Sequence, residues 1–442
     1  MSLLVGVVDR MTVFIVDLPV VSKRSHGIGD VANRVRNVIL KLETKDGLVG
    51  WGEASPWPVF TGSVEGTSAA LDIYFRPLVI GQNPMHITAV MEATEATLVG
   101  HFEAKAALEM ALYDLVGKAV GLPVSELLGG RCRSRIPLSI SLANPDFAAD
   151  LELAKRVYAD GLRILKVKMG FSDHRFDLDR LQVLREELPS DMEIRVDYNQ
   201  GMKPYEALKR LRDIEVFQPG FIEQPVPAKE WTTMTELTSK LDTPVMADES
   251  VFSPVDAIRA VERRIANCFS IKVMKSGGMR HGQEVATVAN AGGIGCYGGD
   301  MFETGLAHLA GVHMIAATPN ISLGCEFYQA SYYLKQDLLT KPFPLENGEV
   351  IVPETPGLGI DVDSDKPSKE NLEQRMSILS AYYLPGVEEN LSDDVTTSVN
   401  TFRMIFNSYF NTDYDLLENK IYVNDENNPD YWIDVTDVLT SP

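Results

Sequence analysis

The stretch 193-EIRVDYNQGMKPYEALKRLRDIEVFQPGFIEQP-225 reads as a short apolar strand, a helical segment and a second short strand. Each strand closes on an acid, Asp197 and then Glu223. The same texture extends in both directions from about residue 135. Upstream lies ILKVKMG (164–170); downstream lie PVMADES (244–250), CFSIKVMKSGG (268–278), GIGCYGGDM (293–301) and ISLGCEF (321–327), with helical patterns between them. The pitch is regular: 26 residues separate Asp197 from Glu223, 25 separate Glu223 from Asp248, and 24 separate Asp248 from Lys272. A serial βα repeat predicts a parallel sheet. Charged residues at the C-terminal ends of successive strands predict a (β/α) barrel, whose active sites are built at that rim. A doubly wound open sheet is the alternative, but it does not line up so many charges at one rim.

Around this core the chain divides into further parts. Residues 3–17 and 36–54 read as strands, with a hairpin turn at Asp46–Gly47. The pattern 102-FEAKAALEMALYDLVGKAVG-121 is helical and stops at Gly121 and Pro123. The fold class expected is therefore α/β: a small α+β domain over residues 1–130, a parallel (β/α) barrel over 131–330, and a return to the N-terminal domain over 331–365. That return ends in PETPGLGIDVD, which reads as a strand. Residues 366–442 have a different composition, with 14 acidic and 5 basic residues. They hold two candidate amphipathic helices, 369–384 and 397–411.

The bulk properties narrow the function classes. A chain of 442 residues needs more than one small core. Its 45% hydrophobic and 23% charged content is that of a soluble globular protein. A formal charge of −21 argues against nucleic acid or an anionic membrane as partner. Cys132, Cys268, Cys296 and Cys325 form no C-x-x-C pair, which predicts reduced thiols in the cytoplasm. The N-terminal stretch carries Asp9, Arg10 and Asp17, lacks a basic leader region and reads as strand rather than signal peptide. No apolar run is long enough to span a membrane.

Lys166 and Lys168 flank one valine in an apolar strand, so both point the same way, inward in a barrel. Two ammonium groups this close, partly buried, are expected to lower each other's pKa toward use as acid or base. On an edge strand they would instead be two exposed charges. Asp197, Glu223 and Asp248 at three successive strand ends are expected to need a cation. All-oxygen ligation points to Mg²⁺ or Mn²⁺. Singly, each would be a helix cap or a surface charge. Asn199 and Glu249 flank them as supporting partners. Lys272 is expected across the barrel from Lys168, with Lys275 as the competing lysine placed in the loop. Glu303, in GGDMFE (298–303), could bond a substrate oxygen or simply cap a helix. His308 and His313 fall on one helix, where packing explains them better than metal ligation, and the paired glycines of the βα loops fit tight turns as well as phosphate cradles.

The set KVK, then D, E and D on the next three strands, then IKVMKSGG, resembles the muconate-lactonizing subgroup of the enolase superfamily. The resemblance covers about residues 3–364 and is supported by SKRSH (22–26), PLVIGQNPMHITAV (77–90), GLPVSELLGGR (121–131), IEQP, MADES, YGGDMFE and CEF (325–327). It implies a capping domain on a (β/α)7β barrel and metal ligands Asp197, Glu223 and Asp248. It also implies Lys168 as acid/base on one face, Lys272 on the other, and Lys166 tuning Lys168. An octamer and a small carboxylate substrate follow from the same resemblance.

The activity implied is metal-assisted enolate chemistry, first of all the cycloisomerisation of cis,cis-muconate to muconolactone, in which Lys168 protonates the enolate. Epimerisation or racemisation of a dipeptide or a proline derivative, or a dehydration, would use the same groups. An inactive substrate-binding or scaffolding protein is the reading from another class; the intact lysines and carboxylates argue against it. The loop 26-HGIGDVANR-34 and the stretch 53-EASPWPVFTGSVEG-66 cover the site in such proteins. Here His26, Asp30 and Trp57 are the expected specificity residues, and the presence of Asp30, Arg34 and Trp57–Pro58 departs from the muconate pattern. Asp300 is a further acid near the site. Residues after 365 match nothing in the family.

Overall fold

Strand β1, Val8–Pro19, pairs antiparallel with β2, Arg34–Thr44, and β2 pairs antiparallel with β3, Val49–Ala54. The turn joining β2 to β3 falls at Asp46–Gly47, where Gly47 takes a positive φ. Residues 5–363 are described in this computed structural model, together with the backbone of 422–425 and 428–434. The first strand starts at Val8 rather than at residue 3.

Helix α1, Ile87–Thr97, packs on α2, Phe102–Val120, and α2 covers this sheet. Helix α2 ends at Gly121, whose left-handed φ of 72° stops the helix at little conformational cost. Small residues let α2 lie directly on β3. A Cβ on Gly52 would sit 1.9 Å from the Ala107 carbonyl oxygen, so only glycine permits that approach. Leu108, Met110, Leu112 and Leu115 are fully buried in the resulting core.

The barrel strands follow in chain order: β4 Ser139–Leu142, β5 Ile164–Lys168, β6 Glu193–Asp197, β7 Ile222–Glu223, β8 Val245–Ala247, β9 Cys268–Ile271, β10 Gly295–Gly298 and β11 Ile321–Cys325. They form one eight-stranded sheet in sequential order. Every neighbouring pair is parallel. A parallel bridge from Leu138 to Cys325 closes the ring. Seven helical connections join the eight strands. Their main helices are α3 Phe147–Ala159, α4 His174–Glu187, α5 Pro204–Glu215, α6 Trp231–Lys240, α7 Pro254–Arg263, α8 Met279–Ala291 and α9 Gly305–Ala316. This is a (β/α)7β barrel beside a capping domain of strands and helices.

Proline at the first helical position starts α5 and α7, and Ser253 with Asp256 forms a reciprocal capping box on α7. Below the rim the barrel is filled by Phe221, Met246, Cys268 and Tyr297. The Arg195 guanidinium lies 4.8 Å from the Phe221 ring and 5.1 Å from the Tyr297 ring. The floor is therefore packed, and the open end is the rim.

The segment after the barrel runs back to the capping domain. Gly357 bridges Pro123, and the Leu358 amide donates to Asp114 on α2 at 2.9 Å. It does so through isolated bridges, not as the strand its composition suggests; Pro353 and Pro356 lack the amide hydrogens a continuous ladder needs. Residues from 364 onward form a separate unit. Within it β12, Tyr422–Asp425, pairs antiparallel with β13, Asn428–Asp434. The two helices expected at 369–384 and 397–411 lie outside the described residues. Among the described residues no helix is long and apolar enough to cross a membrane.

Candidate active site

The register of the barrel brings the charged strand ends together. Lys168 on β5 pairs with Asp197 on β6, and Asp197 pairs with Glu223 on β7. Asp248 follows β8, and Lys272 follows β9. Because side chains alternate along a strand, these residues enter the barrel from the same face of the sheet. Backbone geometry beyond the strands is unusual. Asn199, Gln200 and Gln224 have φ of 40°, 67° and 31°, in the left-handed region that side chains disfavour. Gln224 uses that turn to hold the next loop: its Oε1 accepts from the amides of Asp248 at 3.0 Å and Ser250 at 3.2 Å.

Lys166 is fully buried and bridges three carboxylates. Its Nζ lies 2.6 Å from Glu326 Oε1, 3.0 Å from Glu223 Oε2 and 3.5 Å from Asp197 Oδ2. Lys168 donates to Asp197 and, at 3.1 Å, to Asn199 Oδ1. Asn199 in turn donates to Glu249 Oε1 at 3.1 Å. Asp248 is gripped from both sides, by Lys272 at 2.7 Å and Lys275 at 2.7 Å. Lys275 also bonds the Asp248 carbonyl. Lys275 is thus a buried part of the cluster, in a short helix spanning Val273–Ser276, and not a loop residue as its neighbouring glycines suggested.

The electrostatics follow from burial and pairing. Burial alone would lower the Lys166 ammonium, but Glu223, Glu326 and Asp197 outweigh it and hold it well above its usual value. The expectation that the paired lysines depress one another is therefore wrong for Lys166: three acids face it, one of them 160 residues away in sequence. Lys272 is also raised, Asp248 and Glu326 overcoming its burial. Burial would raise Asp248, yet Lys272 and Lys275 hold it well below the carboxylate range. Glu223 is pushed up to about 7 by burial, and Glu249 up to about 8 by burial and then by Asp248 and Asp197.

Five buried carboxylates (Asp197, Glu223, Asp248, Glu249 and Glu326) thus face four ammonium groups. Glu223 Oε1 and Glu249 Oε2 are buried and accept no hydrogen bond. An excess of hard oxygen donors with orphaned atoms fits a divalent cation. Asp197, Glu223 and Asp248 are the residues placed to hold one, with Asn199 and Glu249 behind them. The tightest acidic and histidine grouping among the described residues is a different one: Asp300, Glu303 and His308, whose ligand atoms lie within 4.8 Å of one another.

Above the cluster is a narrow cavity of about 30 Å³. Lys168, Lys272, Asn199 and Ser141 line its base, and Asp300, Met301, Phe302, Glu326, Tyr328 and Gln329 its barrel wall. The capping domain contributes His26, Trp57 and Phe60. His26, Trp57 and Phe302 pack edge to face, with ring centroids 5.1 to 5.6 Å apart. Gly27 holds this loop on the barrel: a Cβ there would fall 2.0 Å from the Tyr198 carbonyl oxygen. Burial, with Lys168 and Arg24 nearby, keeps the His26 imidazole neutral by pushing its pKa well below the usual value. The space is on the order of one or two water molecules.

Of the expected specificity residues, His26 and Trp57 line the cavity. Asp30 does not: it is half exposed and pairs with Lys23 at 2.6 Å. A charge there is better solvated outside than buried beside the acid cluster. Arg34 likewise pairs with Asp17 at 2.8 Å on the surface. Glu303 also lies off the cavity. Its carboxylate turns back to accept from the Met301 amide, and it sits 3.9 Å from His308. Glu326 and Asp300 occupy the cavity wall instead. Glu326 follows the eighth strand, 26 residues after Asp300, so the pitch that marked the other acids could have found it. Tyr328, Ser141 and Gln329 carry no such signal. His313 is a core residue whose Nδ1 accepts from the Ser125 amide at 3.2 Å.

The chain matches two family descriptions. Residues 11–129 match "Mandelate racemase / muconate lactonizing enzyme, N-terminal domain", and residues 149–366 match "Enolase C-terminal domain-like". Muconate cycloisomerase 1 of Acinetobacter baylyi is 33% identical over 358 residues, covering 80% of this chain and 96% of that protein. L-Ala-D/L-Glu epimerase of Bacillus subtilis is 35% identical over 330 residues, covering 73% and 88%. The crystal structure of a muconate cycloisomerase from Azorhizobium caulinodans is 43% identical and superposes with a TM-score of 0.72, covering 83% of this chain and 98% of that one.

Proposed function

We propose, for a chain that belongs to the muconate-lactonizing subgroup of the enolase superfamily, that Lys168 and Lys272 move a proton at the carbon beside a substrate carboxylate. The chain is an isomerase, as its relatives are. Members of the superfamily bind a divalent metal. In this reading Asp197, Glu223 and Asp248 would hold Mg²⁺ or Mn²⁺, which would supply positive charge beside the substrate carboxylate. The observation that carries the reading is that Lys168 and Lys272 line one cavity from strands four apart in a ring of eight, and so from opposite sides. Lys166 and Lys275 hold the acids in place beneath them. The aromatic cover excludes water from the enolate.

One outcome of such an enolate is the cycloisomerisation of cis,cis-muconate to muconolactone, with Lys168 delivering the proton; the resemblance to muconate cycloisomerases supports it. A second is epimerisation of an amino-acid derivative, with one lysine taking the α-proton and the other returning it. A specific observation favours this second reading. The cavity wall away from the three acids carries Asp300 and Glu326. A second carboxylate on the substrate would face acids there.

Proton exchange in D₂O, followed by NMR across a panel of carboxylates, tests both. Epimerisation labels the recovered substrate at its α-carbon; cycloisomerisation labels only the product. No exchange and no product from any carboxylate, with metal bound, would sink the enolate reading. We also place the protein in the cytoplasm, a reading supported by its four unpaired cysteines, and take it as a homo-oligomer, an octamer by resemblance. Light scattering checks the assembly.

A further inference from the structure

We propose that Asp300, Glu303 and His308 form a second metal site, separate from Asp197, Glu223 and Asp248, for a divalent transition ion of the zinc type. The three residues meet where the loop after β10 enters the first turn of α9, behind the cavity wall.

The histidine points to the ion. His308 is 1% exposed, and neither of its ring nitrogens makes a hydrogen bond. Its ring stacks on Phe327 with centroids 5.0 Å apart and meets Phe343 edge to face at 5.6 Å. Held between them, it brings Nε2 to 3.5 Å from Asp300 Oδ2 and 3.9 Å from Glu303 Oε2. Asp300 Oδ2 likewise accepts no hydrogen bond. Both separations are longer than an N–H···O hydrogen bond. Zinc-type ions hold nitrogen and oxygen ligands about 2.0–2.2 Å away, which sets tetrahedral ligands roughly 3.4 Å apart. All three ligand atoms here lie within 4.8 Å of one another, so small side-chain rotations bring them onto one ion.

The charges favour the same occupant. Asp300 and Glu303 are 6% and 4% exposed, and among the described residues neither pairs with a lysine or an arginine. Burial, with Glu326 and Glu303 around Asp300 and Glu103 and Glu53 around Glu303, holds both carboxyls well above their usual range. A divalent ion between two carboxylates leaves no net charge buried. Burial also lowers the His308 imidazole to about 3, which keeps it in the neutral form that ligates a metal. A nitrogen donor selects Zn²⁺ or Co²⁺ over Mg²⁺, which takes oxygen ligands. Such an ion would fasten the loop carrying Met301 and Phe302 onto α9, and Glu326 keeps the cavity wall acidic when Asp300 is so engaged.

The test counts ions. Full-length protein is stripped with chelator and titrated separately with Mg²⁺, Zn²⁺ and Co²⁺ by calorimetry, and bound metal is measured by elemental analysis. The wild-type chain is expected to take up one Mg²⁺ but two Zn²⁺ or two Co²⁺. His308→Phe, which keeps a ring between Phe327 and Phe343, is expected to lose one Zn²⁺ and the visible absorption of the second Co²⁺. Asp248→Asn is expected to keep one Zn²⁺ with its affinity unchanged within about twofold. If His308→Phe fails to fold by circular dichroism, Glu303→Gln carries the same count. A single Zn²⁺ in the wild-type chain, two in a folded His308→Phe (as adventitious surface binding would give), or loss of both in Asp248→Asn overturns the inference. Absence of Mg²⁺ binding counts against the first site alone.

Discussion

Lys166 on β5 donates to Glu326, the residue after β11, at 2.6 Å, across the intervening strand β4. Ser141 on β4 donates to the other oxygen of the same carboxylate at 3.1 Å. The seam where the barrel closes is therefore tied by a charged bond inside the site. Removing one partner of a buried pair leaves the other charge uncompensated, which typically costs about 3–5 kcal/mol. Lys166→Met should lose stability of that order in urea unfolding measured with chelator present. A loss below about 1 kcal/mol would show that the bond does not hold the seam.

Lys168→Ala should fold normally and lose turnover by about 10²- to 10⁴-fold, the usual worth of a general acid or base. Lys272→Ala should do the same if protons pass on both faces. Under epimerisation, each single variant should still exchange the α-proton of one substrate enantiomer in D₂O. Near wild-type turnover in Lys168→Ala would remove it from the chemistry.

Asp248→Asn should weaken binding of Mg²⁺ and Mn²⁺ by more than about tenfold in calorimetry, and Glu223→Gln and Asp197→Asn likewise. Activity should vanish in excess EDTA and return with added Mg²⁺ or Mn²⁺. Full activity with no bound metal would defeat the assignment of these three acids.

Truncation after residue 366 should preserve turnover and substrate affinity. The family match ends at 366, and residues 5–363, which hold every proposed site residue, carry their own core. A folded truncate of unchanged oligomer mass with a large loss of turnover would place the tail in the active site.

Much of this site was legible because a barrel writes its rim into the chain as a period. Asp197, Glu223 and Asp248 recur every 25 or so residues, and alternation on β5 sends Lys166 and Lys168 to the same side. Those features are local, set by strand geometry and connection length, and they hold whatever the rest of the chain does. The opening turn at Asp46–Gly47 and the stop at Gly121 are local in the same way.

Tertiary structure alone decided which neighbours these residues meet. Lys275, two residues before a glycine pair, is drawn into the cluster by Asp248. Glu303 turns back on the Met301 amide while Asp300, three residues earlier, faces the cavity. Asp30 stays with Lys23 at the surface although its loop neighbour His26 lines the cavity. The upward Lys166 shift comes from Glu223 and then from Glu326, which is brought beside it only when the eighth strand closes the ring. Sequence thus determined the barrel, its rim of acids and the two opposed lysines, because spacing along the chain encodes them. The lining of the cavity and the charge balance of the cluster arise from contacts between residues far apart in the chain, and spacing carries no record of those.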